Sequence, residues 1–129
     1  MRRKDVSPSV EKVSTLKIDK DCFVDRDWIE NYIHVVLIPV CRSFEVTVNS
    51  IRMCNSRRRG LHFYIEISPP IDDDSANRLQ WLLGDDSRRV DFNRARVESG
   101  LDEWNKLFEV PGRRLRAVYR DAKYEKRPM

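Results

Sequence analysis

The segment of the chain best suited to chemistry is a basic turn that runs into a predicted strand. It reads Ser56-Arg57-Arg58-Arg59-Gly60-Leu61-His62-Phe63-Tyr64-Ile65-Glu66-Ile67. Guanidinium groups bind phosphate through paired hydrogen bonds, and a glycine lets the backbone approach a ligand closely. The imidazole that follows can contact a phosphate or transfer a proton. We therefore predict a phosphate-binding site here. The alternative is a solvated hairpin loop whose charge discourages edge pairing.

The same segment has two unlike faces, because successive side chains of a strand alternate. Leu61, Phe63, Ile65 and Ile67 fall on one face, and His62, Tyr64 and Glu66 fall on the other. The apolar face must be covered by helices or by a second sheet, and the polar face is expected to be open. Tyr64 would then occupy a position from which sheets of the RNA-recognition type stack a base.

Two carboxylates form a second candidate site, at the end of an earlier predicted strand. Asp19 and Asp21 stand one residue apart, so on a strand they point the same way. Carboxylate oxygens bind hard divalent ions such as magnesium or manganese. The spacing is compatible with a metal site in which Asp19, Asp21 and His62 are catalytic. An acidic turn at a strand end is the alternative.

A dense mixture of acids and arginines at residues 85–96 is the third candidate. In one interpretation Arg89, Arg94 and Arg96 contact a nucleic acid backbone. In the other, the segment is a helix on which Asp91 pairs with arginines three residues away, forming an internal ladder of ion pairs.

The composition favours one folded domain. The chain has 129 residues, of which 40% are hydrophobic and 36% charged, enough for a modest core beneath a charged surface. A net charge of +4 permits a nucleic acid partner without requiring one, since 21 acidic residues dilute 25 basic ones.

The cysteines and the apolar runs bear on location. Cys22, Cys41 and Cys54 are widely spaced without a C-x-x-C pair, which is typical of reduced thiols in a cytoplasmic protein. No apolar stretch follows the basic N-terminus, so we expect no signal peptide. The longest apolar run, residues 35–41, is too short to cross a bilayer, and we expect no membrane partner.

The predicted elements follow the order β-α-β-β-α-(α-α)-β. We expect a tail at 1–10, a single domain at 11–120 and a charged tail at 121–129. Pro39 should bend or end the first helix, and the β-branched run at 35–38 makes a strand the competing assignment there. A bulge near Asn49 and Ser50 keeps the second strand in phase. The order predicts an α+β fold, with helices on one face of a small antiparallel sheet of ferredoxin-like or RNA-recognition-motif-like type.

Two motifs carry a resemblance to a known group of enzymes. Ser56-x-Arg58-Arg59-Gly60-x-His62 is similar to the S-G-x-R-G-x-H segment of the archaeo-eukaryotic primase–polymerase superfamily, although Arg57 stands at its glycine. Ile18-Asp19-Lys20-Asp21 resembles the upstream h-D-x-D metal motif of that superfamily. The resemblance implies that Asp19 and Asp21 bind a divalent metal and that Ser56, Arg58 and His62 contact nucleotide phosphates.

A second resemblance covers more of the chain. The R-G-x-H segment, followed by L-G-D-D-x-x-R and W-N-K-L-F, is similar to small uncharacterised proteins of archaeal plasmids and viruses. Three hypotheses follow, in this order. The chain is a nucleic-acid-binding module of a mobile genetic element, a small metal-dependent primase-like or nuclease-like enzyme, or an interaction module that forms a homo-oligomer such as a dimer.

Overall fold

The structure is a computed structural model that describes residues 13–20, 25–55, 60–101, 104–105, 115–120 and 123–126. Its elements, in chain order, are strand β1 (Val13–Lys20), helix α1 (Arg26–Asn31), a π-helical segment (Tyr32–Leu37), helix α2 (Ile38–Ser43), strands β2 (Thr47–Asn55) and β3 (Leu61–Ile71), helices α3 (Asp73–Leu82) and α4 (Ser87–Glu98), and strands β4 (Leu115–Arg120) and β5 (Lys123–Lys126).

The strands form one antiparallel sheet of five, in the order β1-β3-β2-β4-β5. The register between β2 and β3 shifts between Val48 and Ser50, which confirms the predicted bulge. The β1-β3-β2 part matches a ferredoxin-like sheet, but β4 lies beside β2, whereas that arrangement places the last strand beside the first. Strand β5 falls within the stretch for which the sequence predicts a charged tail.

The helices cover one face of this sheet, here called the helical face, and the core lies between. The Tyr32 ring meets Phe63 edge-on with centroids 5.5 Å apart. Strands and helices contribute buried apolar side chains that include Leu16, Ile18, Ile51, Met53, Phe63, Ile65, Ile29, Ile33, Leu37, Ala76, Leu79 and Leu83. Because removing this surface from water stabilises the fold by about 25 cal/mol per Å², the apolar faces dictate the layering. The predicted α+β class is confirmed.

The first helical region begins where the sequence predicts and continues past Pro39. Asp25 caps it, since its carboxylate accepts a hydrogen bond of 2.9 Å from the backbone N–H of Trp28. The N–H of Ile38 donates to the carbonyl of Ile33, five residues earlier, and Pro39 then occupies the first turn of α2, where no donor is needed. The competing strand assignment at 35–38 is therefore wrong.

Helices α3 and α4 form a hairpin with predicted caps. The carboxylate of Asp72 accepts from the N–H of Ser75, and that of Asp86 accepts from the N–H groups of Arg88 and Arg89. Gly84, at φ +92°, closes the turn between the helices in a left-handed conformation that glycine adopts without strain.

A further helix predicted after Gly100 is not seen in the residues that can be checked. Leu101, Trp104 and Asn105 lie outside any helix, and the rest of that segment, 102–103 and 106–108, lies outside the described residues. Among the described helices, none has both the length and the apolar character that crossing a bilayer requires.

Candidate nucleic-acid interface

The predicted site residues fall into three groups. Asp21, Ser56, Arg57, Arg58 and Arg59 lie outside the described residues. Asp19, His62 and Tyr64 lie on the sheet, and Arg89, Arg94 and Arg96 lie on α4. The basic segment 56–59 links the end of β2 to the residue before β3, as the hairpin prediction requires.

The sheet face opposite the helices, here called the outer face, gathers most of the polar strand residues. Pairing places Thr15, Lys17, Asp19, Ser50, Arg52, Cys54, His62, Tyr64, Glu66, Val118 and Arg120 on it. Asp19, His62 and Cys54 form one row across three strands, at the end of the sheet next to the basic segment. Lys17, Tyr64 and Arg52 form the next row.

The expectation that His62 and Tyr64 are exposed is wrong, although their face is as predicted. Each side chain is only 4% exposed. β3 is an interior strand flanked by β1 and β2, so its side chains have neighbours on both sides. The exposed residue of the second row is Arg52, whose guanidinium carbon lies 5.0 Å from the centre of the Tyr64 ring. A base can therefore not stack on Tyr64 while Arg52 holds this position.

Asp19 and His62 are brought together as the enzyme hypothesis requires. The Asp19 Oδ1 and His62 Nε2 atoms are 3.6 Å apart, and the Asp19 side chain keeps 27% of its exposure. At this distance the pair attracts when His62 is protonated, but the contact is longer than an ordinary hydrogen bond. Within the part of the chain that the structure describes, no three His, Cys, Asp or Glu side chains are grouped so as to hold a metal ion.

Arg89 is not available to a phosphate, which corrects its predicted role. Its Nε atom donates to both carboxylate oxygens of buried Asp85 at 3.1 and 3.0 Å, and its guanidinium also donates to the carbonyl of Lys17. Asp85 in turn accepts from the N–H of Asp19 at 2.9 Å, and Gln80 accepts from the N–H of Lys17 at 2.9 Å. These side chains satisfy backbone groups along the outer edge of β1 and shield that edge from pairing.

Burial raises the pKa of Asp85, and the nearby Arg89 guanidinium together with the hydrogen bonds to the carboxylate offsets this only in part. The carboxylate is thus costly to ionise inside the fold, and it depends on Arg89 for its charge balance.

The other two α4 arginines differ from each other. Arg94 is exposed and pairs with Asp91 at 3.4 Å, the i,i+3 contact that the ladder interpretation predicts. Arg96 is partly buried and donates to Asn93 at 2.9 Å and to the carbonyl of Trp104 at 3.4 Å. Of the three α4 arginines named from the sequence, only Arg94 faces solvent.

Two exposed arginines on the outer face were missed by the sequence prediction. Arg52 lies between the buried Ile51 and Met53 of β2, and Arg120 lies opposite Ser50 at the end of β4. The signal for Arg52 is the predicted bulge, because only the shifted register turns Ile51 and Met53 inward and Arg52 outward. No such signal places Arg120, whose face depends on how β4 joins the sheet.

The cysteines offer no activated thiol among the described residues. Cys41 lies in the core, where burial raises the pKa of its thiol to about 12 and keeps it protonated. Cys54 is buried on the outer face, and neither Cys41 nor Cys54 forms a disulfide.

Comparisons with protein-family models, with curated proteins and with solved structures found no match to this chain. The resemblances to the primase–polymerase superfamily and to small proteins of archaeal plasmids and viruses therefore remain predictions that depend on the motifs alone.

Proposed function

We propose that the protein is a nucleic-acid-binding module, of the kind that mobile genetic elements encode. It binds phosphates through the arginines of segment 56–59 and through Arg52. The observation that carries the proposal is the position of Arg52, which is exposed on the outer face of the strand leading into that segment. Four guanidinium groups thus belong to one hairpin, and three of them are consecutive in the chain.

The charges of the outer face support this location. Its acidic side chains already have partners: Glu66 accepts from the hydroxyl of Thr15 at 2.9 Å, and Asp19 lies beside His62. Arg52 and Arg120 point into solvent from the same face. A nucleic acid strand lying along β2 would meet these cations, with the three arginines of the loop at one end.

The test is a titration of labelled single-stranded and duplex oligonucleotides at low salt, followed by anisotropy. We expect Arg52→Ala and Arg58→Ala each to weaken binding about fivefold for every sequence tested, because phosphate contacts carry no base information. Arg42→Ala removes the same charge from the exposed side of α2 and should leave binding within about twofold. Wild-type protein that fails to bind either ligand at low salt overturns the proposal.

One observation favours a second candidate, the small metal-dependent primase-like or nuclease-like enzyme. It is the closeness of Asp19 and His62, since Asp19 and Asp21 would hold magnesium or manganese and His62 would contact a phosphate. In this case Asp19→Asn abolishes metal-dependent synthesis or cleavage of nucleic acid while binding persists. Absence of both activities in the wild-type protein, with either metal, overturns this candidate.

A further inference from the structure

The surroundings of Arg52 differ from those of an ordinary phosphate contact. Its guanidinium lies over the Tyr64 ring, and the register places the side chain of Val118 directly opposite on β4. Tyr64 is 4% exposed and Val118 is 5% exposed, so both form a packed, largely apolar floor. Cation–π attraction over such a ring restrains a long side chain that would otherwise sample many rotamers.

A restrained guanidinium above an aromatic ring suits a flat ligand. Bases of unpaired nucleotides stack on guanidinium planes as well as on aromatic rings. The faces of bases inside a duplex are covered by their neighbours, so this mode of contact is open mainly to single strands. Glu66 and Ser50 occupy the adjoining row and are partly exposed, which provides polar groups within the same region for the edges of a base.

The position along the sheet fits the arginines of the loop. Arg52 lies three residues before the end of β2 at Asn55, or about 10 Å along the strand. A nucleic acid strand spans this distance within a few nucleotides. One phosphate group at segment 56–59 and one base at Arg52 can therefore belong to the same short stretch of ligand.

We propose that Arg52, held over Tyr64, is a stacking subsite for an unpaired base, and that the ligand is single-stranded nucleic acid. This inference rests on the proposed nucleic acid binding and adds a contact with the base to the contacts with phosphate. It also assigns Tyr64 a supporting position beneath the arginine in place of the direct stacking role predicted from the sequence.

The test compares an oligonucleotide with an abasic oligomer of the same length and charge. We expect the wild-type protein to bind the base-bearing strand at least about fivefold more tightly, as stacking of one base predicts. Arg52→Lys keeps the charge but lacks the planar group, and it should reduce this preference to within about twofold. Arg120→Lys, an equal change at an exposed arginine of the same face, and Tyr64→Phe, which keeps the ring, should both retain the preference.

The outcomes separate the two proposals. If the abasic and base-bearing strands bind equally well, or if Arg52→Lys retains the preference, the stacking subsite is overturned and phosphate binding stands. If neither strand binds at low salt, the proposed function fails and the subsite fails with it. Duplex that binds more tightly than the matched single strand overturns the single-strand assignment alone.

Discussion

Arg89 and Arg52 show how much the role of an arginine depends on its surroundings. Arg89 has a side chain that is 10% exposed and pairs with the fully buried carboxylate of Asp85. Arg52 is exposed and lies on an aromatic ring. The first guanidinium stabilises the edge of β1, and the second faces solvent beside a basic loop. Both are typical of arginine, whose planar group forms paired hydrogen bonds and also stacks.

Removing Arg89 should destabilise the fold strongly. Arg89→Ala leaves the Asp85 carboxylate buried without its partner, and breaking a buried pair in this way costs about 3–5 kcal/mol. Urea unfolding measures the loss. Arg88→Ala, at the 82% exposed neighbour, is the matched control and should change the free energy of unfolding by less than about 0.5 kcal/mol. A cost for Arg89→Ala no larger than that of the control would contradict the edge-shielding role.

At this scale, alternation along a strand predicted faces but not exposure. Phe63 and Ile65 are buried on the helical face as their spacing indicates. His62 and Tyr64 lie on the other face, yet they are buried too, because exposure depends on strands and side chains far away in the sequence. The same limit applies to Arg89, whose partners are contributed by β1 and by the region after α4.

The helices illustrate the next scale, at which local signals were most informative. Asp25, Asp72 and Asp86 cap α1, α3 and α4 where their sequence context predicts, because capping depends on residues within one turn. Pro39 had a subtler effect. The chain changes from π-helical to α-helical bonding just before it, so the helical region neither ends there nor becomes a strand.

The cap of α3 predicts a pH dependence. Burial acts to raise the pKa of Asp72, but hydrogen bonds from Ser75 and the charge of Arg78 together lower it below its ordinary value. A lowered pKa in the folded state means that the ionised carboxylate stabilises the fold above its ordinary pKa, near about 4. This contribution is lost as the pH falls through the lowered value.

Asp72→Asn keeps a capping oxygen but removes the charge, so it isolates that contribution. We expect it to lower the free energy of unfolding by roughly 0.5 kcal/mol at neutral pH, the size of a charge effect at a helix N-terminus. The difference should vanish near pH 2. Asp72→Ser, a second neutral cap, should behave alike. A difference that stays constant from neutral to acid pH would show that the charge of Asp72 is not the cause.

For the whole molecule, the order of elements predicted the layers but not the full sheet. Helices on one face of an antiparallel sheet follow from the apolar faces of β1, β2 and β3. The place of β4 beside β2, and the extension by β5, follow from pairing between segments that no local pattern encodes. The outer face was consequently predicted without Arg120, and its apolar floor at Val118 was not anticipated.

The central claim is that the basic hairpin binds nucleic acid through phosphates, and the salt dependence of binding by the wild-type protein tests it most directly. Contacts from three or four arginines release as many counterions, so the logarithm of the association constant for a single strand should fall with the logarithm of salt concentration with a slope of about −2 to −3. The measurement is an anisotropy titration repeated from about 50 to 200 mM salt. A slope near zero, or no binding at the lowest salt, would contradict the account.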